Sequence, residues 1–118
     1  MFDMAARAEM ARRATRDLSR VRVVADSGML VDLFDRVGAD AIVKGVRNER
    51  DLAYEQEMAA YNLAKNPRAK TVFLEASSAL SDLSSTRVRT ILKEGKIPTG
   101  LLPQGVMEYL LEKGILQA

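Results

Sequence analysis

Three short β-branched runs, each followed by a stretch with helical periodicity, constrain this chain more than any other feature. "VRVV" (Val21–Val24), "AIV" (Ala41–Val43) and "TVFLEA" (Thr71–Ala76) are strand-sized and apolar, without strict polar alternation. Such runs suit a parallel sheet whose faces are covered by helices. The intervening segments supply those helices. Asp3 can cap a helix in which Met4, Ala8, Ala11, Thr15 and Leu18 recur at steps of four and three, with Arg7, Arg12, Arg13 and Arg16 opposite. Ser27 offers an N-cap for a helix carrying Leu30, Leu33, Phe34 and Val37, which Gly38 stops. A long helix is predicted from about Glu49 to Lys65, ended by Asn66 and Pro67. "SSALSDLSST" reads as a polar loop running into a helix from about Ser85 to Glu94, which ends at Gly95. Pro103 opens a last helix with Val106, Tyr109 and Leu110 inward and Gly114 closing it. The order α, β, α, β, α, β, α, α predicts one α/β domain over residues 1–118.

The composition removes several chemistries. There is no histidine and no cysteine, so imidazole catalysis, Ser-His-Asp triads, disulfides and thiolate metal sites are excluded for these residues. The lack of cysteine fits a reducing cytoplasm. Apolar runs are too short to span a membrane, and Asp3, Glu9 and Asp17 near the start do not suit a secretory signal or a mitochondrial presequence. A net charge of +2 is compatible with anionic ligands. Basic residues are scattered and aromatics make up 5%, leaving few platforms for base stacking, so no nucleic-acid partner is expected.

In open parallel sheets, ligands sit beyond the carboxyl ends of the strands. Here those ends read "ADSGML", "KGVRNERD" and "EASSALSDLSST". The second sets Lys44 and Arg47 around Gly45, where a backbone without a side chain admits close approach. The third brings Ser84, Ser85 and Thr86 to the start of a helix, whose free N–H groups and dipole favour an anion. Arg87 and Arg89 follow in a turn where cations are unfavourable unless an anion offsets them. Taken singly, Lys44 and Arg47 are solvated surface charges, Ser84 is a plain cap and Glu55 an exposed acid. Taken together they suit a polyphosphate. On the long helix, Leu52, Glu55, Ala59 and Asn62 share one face, and buried polar groups on such a face need partners.

"VKGVRNERDLAYE" with "YN", followed by "TVFLEAS" and "LSSTRVR", resembles bacterial phosphopantetheine adenylyltransferase, the enzyme of coenzyme A synthesis. The resemblance extends in order over essentially all 118 residues. It implies a Rossmann-like nucleotidyltransferase fold with a parallel sheet. It also implies the conversion of ATP and 4′-phosphopantetheine to dephospho-coenzyme A and pyrophosphate, with Mg²⁺, in a cytoplasmic homohexamer. By position, Lys44 would meet phosphopantetheine, and Leu30, with Met29 beside it, would line the pantetheine arm. Gly45, Val46 and Arg47 would hold ATP phosphate and ribose, and Glu55 would lie at the same site. Leu80, Ser81, Asp82, Leu83, Ser84, Ser85 and Thr86 would form the nucleotide loop, the last three nearest the phosphates. Lysine stands at position 44 where the family more often has arginine, and it cannot make a two-pronged contact.

The resemblance departs at the front. The family opens with a strand and a GxFDPxTxGH loop whose threonine and histidine contact substrate and the transferring phosphate, completed by a lysine on the second strand. This chain has no histidine and opens on a helix, as if one strand-helix-strand unit of roughly 30 residues or more were missing. Two explanations fit: a helix added to a sheet edge, or a chain that begins within a longer domain, as from a misplaced start at an internal "MF". Adenylyl transfer is an in-line displacement that relies on positioning and charge stabilisation, and one transition-state donor is worth about 3 kcal/mol. The expectation is therefore no protein catalytic residue and negligible turnover by these 118 residues alone, with a non-catalytic nucleotide- or coenzyme A-binding or assembly module as the alternative.

Overall fold

The computed structural model describes residues 1–116. In chain order its elements are α1 (Met4–Ala14), α2 (Leu30–Val37), β1 (Ile42–Val46), α3 (Glu49–Lys65), β2 (Thr71–Glu75), a 3-10 turn (Ser78–Leu80), α4 (Ser85–Lys93) and α5 (Gln104–Glu112). The backbone forms two compact units, Asp26–Asp82 and the segments Met1–Ala25 with Leu83 onward.

The first of these is the α/β unit. β1 and β2 pair in parallel, with Ile42 opposite Thr71 and Val46 opposite Glu75. α3 provides the crossover. Asn48 caps it by accepting from the Asp51 N–H at 2.8 Å, and Glu49 and Asp51 in the first turn and Lys65 in the last complement its dipole. Gly38 ends α2 in the left-handed region at φ 70°, donating to the Phe34 and Asp35 carbonyls. The core is Val31, Phe34, Ile42 and Ala69, with Ala39 against it. The strand residues pointing the other way, Val43, Val72 and Leu74, are exposed.

Two expectations change here. β1 runs on through Lys44 and Gly45 to Val46 because the ladder with β2 continues opposite Phe73, Leu74 and Glu75. Lys44 therefore projects from within the strand. α2 starts at Leu30 with Met29, not Ser27, at the cap and no side-chain cap bond. Asp26 has taken over the local hydrogen bonding: its carboxylate accepts from the Gly28 N–H at 2.7 Å and pairs with Arg36. Both contacts, the Gly28 bond first, hold the Asp26 carboxyl below the usual carboxylate range.

The other unit is helical. α1 packs on α5, and Leu92, Tyr109, Leu110 and Leu116 form its core, flanked by Phe2, Ala6, Met10, Val106 and others. Asp3 caps α1 as expected, accepting from the Ala6 N–H at 2.8 Å. The inward face differs from the sequence pattern: Ala8 is buried, but Met4 and Leu18 are exposed, and Ala6 and Met10 make the contacts. Charge settles the orientation, because Arg13 pairs with Glu112 at 2.9 Å, Arg16 pairs with Glu108 at 2.9 Å, and Arg13 lies over the Tyr109 ring. Pro103 sits at the N-cap of α5, not within its first turn.

The strand expected at Val21–Val24 does not form. Val21 and Val24 are about half exposed, and the chain before them closes turns from Leu18 to Thr15 and from Val21 to Leu18. A strand is stabilised by its ladder, and the sheet among the described residues has two strands. β-Branched composition alone does not supply a partner.

One buried polar atom in the α/β unit lacks a partner among the described residues, the Thr71 hydroxyl. Thr71→Val keeps the shape, removes the unsatisfied group and retains strand preference. It is expected to stabilise the protein by about 1 kcal/mol, read as a higher urea midpoint at unchanged m. An unchanged or lower midpoint would show that the hydroxyl is satisfied in solution.

Candidate functional site

The face of α3 turned toward β1 carries the expected residues. Leu52, Glu55 and Ala59 are half-buried and Asn62 is buried, as the helical spacing requires. Across from them Lys44 leaves β1, and its Nζ lies 3.9 Å from Oε2 of Glu55. At that distance, with Lys44 partly exposed, the pair is weak and can open to admit an anion.

Lys44 and Glu55 line a cavity of about 420 Å³ with Met29, Leu30, Tyr54, Met58, Tyr61 and Asn62. Three site residues read from the sequence, Leu30, Lys44 and Glu55, are thus brought together, and Met29 joins them. Asn62 is 6% exposed, the one buried polar side chain among the described residues, and it lines this cavity. A side-chain amide on a cavity wall can pair with a ligand that carries its own amide. Tyr54, Met58 and Tyr61 were not singled out from the sequence. Their spacing of four and three along α3 is the signal that marks one flank of the helix.

Where β1 leads into α3, Arg47 is held in place: its Nε donates to Oδ2 of Asp51 at 2.9 Å, and its backbone N–H approaches the same oxygen at 3.3 Å. The guanidinium is partly exposed. Gly45 is open, since a side chain there would meet no atom within 4 Å. The glycine therefore answers no packing need of the described residues and leaves the strand backbone accessible. Val46 is buried and lines a second cavity of about 480 Å³ with Asn48, Glu49, Leu52, Phe73 and Glu75. Its side chain serves the core, and its carbonyl accepts from the Ala76 N–H at 2.8 Å.

The segment Leu80–Thr86 is divided between the units. Leu80, Ser81 and Asp82 close the α/β unit, where a 3-10 turn stands in part of the expected loop and the Ser81 hydroxyl donates to the Ser78 carbonyl at 2.9 Å. Leu83, Ser84, Ser85 and Thr86 belong to the helical unit. Ser84 is the N-cap of α4, accepting from the Arg87 N–H at 3.1 Å, and Thr86 accepts from Nη2 of Arg89 at 3.1 Å. No acid occupies the first turn of α4. That helix start is consequently an electropositive end with free hydroxyl donors.

No group of three or more acidic, histidine or cysteine residues suited to a metal occurs among the described residues. None of their helices is long and apolar enough to cross a membrane.

Residues 1–91 match the model of the cytidylyltransferase-like family, whose fold is the Rossmann-like nucleotidyltransferase fold. Over 113 residues, 96% of the chain, it is 36% identical to a phosphopantetheine adenylyltransferase of Caldanaerobacter subterraneus subsp. tengcongensis, covering 71% of that protein. It is 37% identical to one of Rhizorhabdus wittichii, covering 68%, and 34% identical to one of Clostridium kluyveri, covering 69%. With parallel strands bridged by α3 and identity of this extent, the chain belongs to the phosphopantetheine adenylyltransferase family.

Proposed function

We propose that this chain serves coenzyme A synthesis, binding ATP and 4′-phosphopantetheine for adenylyl transfer to dephospho-coenzyme A and pyrophosphate. The observation that carries the reading is the α/β-unit cavity, in which apolar walls, a lysine and a largely buried side-chain amide occur together. A pantetheine arm is a flexible apolar chain with two amides and a terminal phosphate. Met29, Leu30 and Met58 suit its methylenes, Asn62 its amides and Lys44 its phosphate.

In the reaction a 4′-phosphate oxygen attacks the α-phosphorus of ATP, the bond to the β-phosphate breaks, and pyrophosphate leaves. No protein nucleophile is required. The contribution of these residues is to hold the two anions close and to offset their charge. Lys44 serves the acceptor phosphate, its charge tempered by Glu55 until ligand arrives. Gly45 opens the β1 backbone, and Arg47, oriented by Asp51, brings its positive charge to the triphosphate. The family resemblance assigns Leu80–Leu83 to the nucleoside and Ser84–Thr86 to the phosphates. Mg²⁺, as the family resemblance implies, would accompany the triphosphate and offset part of its charge. The working form is a cytoplasmic homohexamer, a reading supported by the exposed apolar residues Tyr54, Tyr61, Val43, Val72 and Leu74 that an assembly would cover.

A second reading is favoured by one observation, the lack of any histidine in these 118 residues: a module that binds nucleotide or coenzyme A without turnover. Calorimetry with coenzyme A and ATP, beside an assay of dephospho-coenzyme A formation, separates the two. Coenzyme A affinity is expected to fall about tenfold in Lys44→Ala and in Asn62→Leu, each losing one charge-assisted or buried polar contact. Wild-type affinity in both variants would remove the cavity from the site. Binding without product assigns these residues to the module, and product formation assigns them to catalysis.

A further inference from the structure

We propose that Met29 and Met58 form a paired oxidation site on the wall of the α/β-unit cavity, where conversion of both thioethers to sulfoxides reversibly weakens ligand binding, a role that rests on the pantetheine reading of that cavity. The two residues reach the cavity from different elements, Met29 from the N-cap of α2 and Met58 from the middle of α3, and both line it. They are 43% and 39% exposed, so a small oxidant in water has access to both side chains.

With no cysteine in these residues, the six methionines are their only oxidisable sulfurs. Position divides them. Met10 and Met107 pack against the helical core, where a sulfoxide would disturb the packing of the unit itself. Met1 and Met4 are exposed on the helical unit. Met29 and Met58 belong to neither group. They stand outside the α/β core of Val31, Phe34, Ile42 and Ala69, so oxygen added to them leaves that core intact and changes the cavity. With hydrogen peroxide as oxidant, a sulfur lone pair attacks one peroxide oxygen, the O–O bond breaks, an S–O bond forms and water leaves. Sulfur gives up two electrons, which the peroxide takes. A polar, chiral group then stands where a flexible apolar one stood. The methylenes of a pantetheine arm would meet a dipole that has to lose its water to admit them, which opposes binding. Enzymatic reduction returns the sulfoxide to the thioether, so the change is reversible.

The test treats the full 118-residue chain with hydrogen peroxide, removes the oxidant with catalase, locates added oxygen by peptide mass mapping and titrates coenzyme A by calorimetry before and after. Met29 and Met58 are expected to gain one oxygen each and coenzyme A affinity to fall about tenfold. Both changes should reverse with methionine sulfoxide reductases of the two stereospecificities. Leucine is close to methionine in volume and carries no sulfur. In Met29→Leu with Met58→Leu, whatever its starting affinity, the same treatment should leave coenzyme A binding unchanged, whereas Met4→Leu should stay as sensitive as the parent. Equal wild-type affinity before and after oxidation would overturn the proposal, as would a loss that persists in a folded Met29→Leu, Met58→Leu variant. So would Met29 and Met58 left unoxidised beside oxidised Met1 and Met4. Each of these results leaves the pantetheine reading of the cavity standing. A wild-type chain that binds no coenzyme A before oxidation removes that reading, and the proposal with it.

Discussion

Gly105→Ala is expected to destabilise the helical unit by about 2 kcal/mol, although alanine is the better helix former by about 1 kcal/mol. The reason is the approach of α5 to α1. A Cβ at position 105 would stand 2.5 Å from the Arg13 carbonyl oxygen and 2.7 Å from its carbon. Both atoms are backbone, so no rotamer change relieves the overlap and the helices must separate. Separation would also loosen Arg13–Glu112, Arg16–Glu108 and the packing of Arg13 on Tyr109. Chemical denaturation followed by the environment of Tyr109 should show a lower midpoint, and exchange of α5 amides should accelerate. A variant as stable as the parent would mean that the two helices do not meet at Gly105 in solution.

Phe34→Ala is expected to cost more, about 3–5 kcal/mol, and to act on the α/β unit. Phe34 is 2% exposed and packs with Val31, Ile42 and Ala69 in a core of few members, with the Arg68 guanidinium over its ring. So small a core has little room to collapse around the space left by the ring, and total stabilities of only about 5–15 kcal/mol make the loss decisive. Hydrogen exchange at the β1–β2 ladder amides is the direct readout. Protection there should be largely lost, and coenzyme A binding should weaken with it, because Lys44 is positioned by β1. Retained ladder protection in this variant would contradict the placement of Phe34 in the core.

Much of the candidate site was legible because helix geometry is local. Glu49–Lys65 was read with its observed bounds, so the face carrying Glu55 and Asn62 followed from spacing alone. Lys44 required more. Its position within the strand depends on how far the ladder with β2 extends, a pairing between segments distant in sequence. The cavity that Lys44 and Asn62 line was invisible for the same reason, since its walls meet only after the chain has folded. Tyr54, Met58 and Tyr61 lie on the flank of the inward face and are partly exposed, so their spacing does not mark them as buried.

By itself the sequence determined what each segment can do locally: the caps at Asp3 and Ser84, the stop at Gly38, the helix periods, and the exclusion of imidazole and thiolate chemistry. These are effects of covalent structure and near neighbours. Tertiary structure decided the rest. It left Val21–Val24 outside the sheet despite its β-branched residues, turned Ala6 and Met10 rather than Met4 and Leu18 inward, and set Lys44 across from Glu55. Each of those outcomes depends on a partner elsewhere in the chain, and no local preference can supply one.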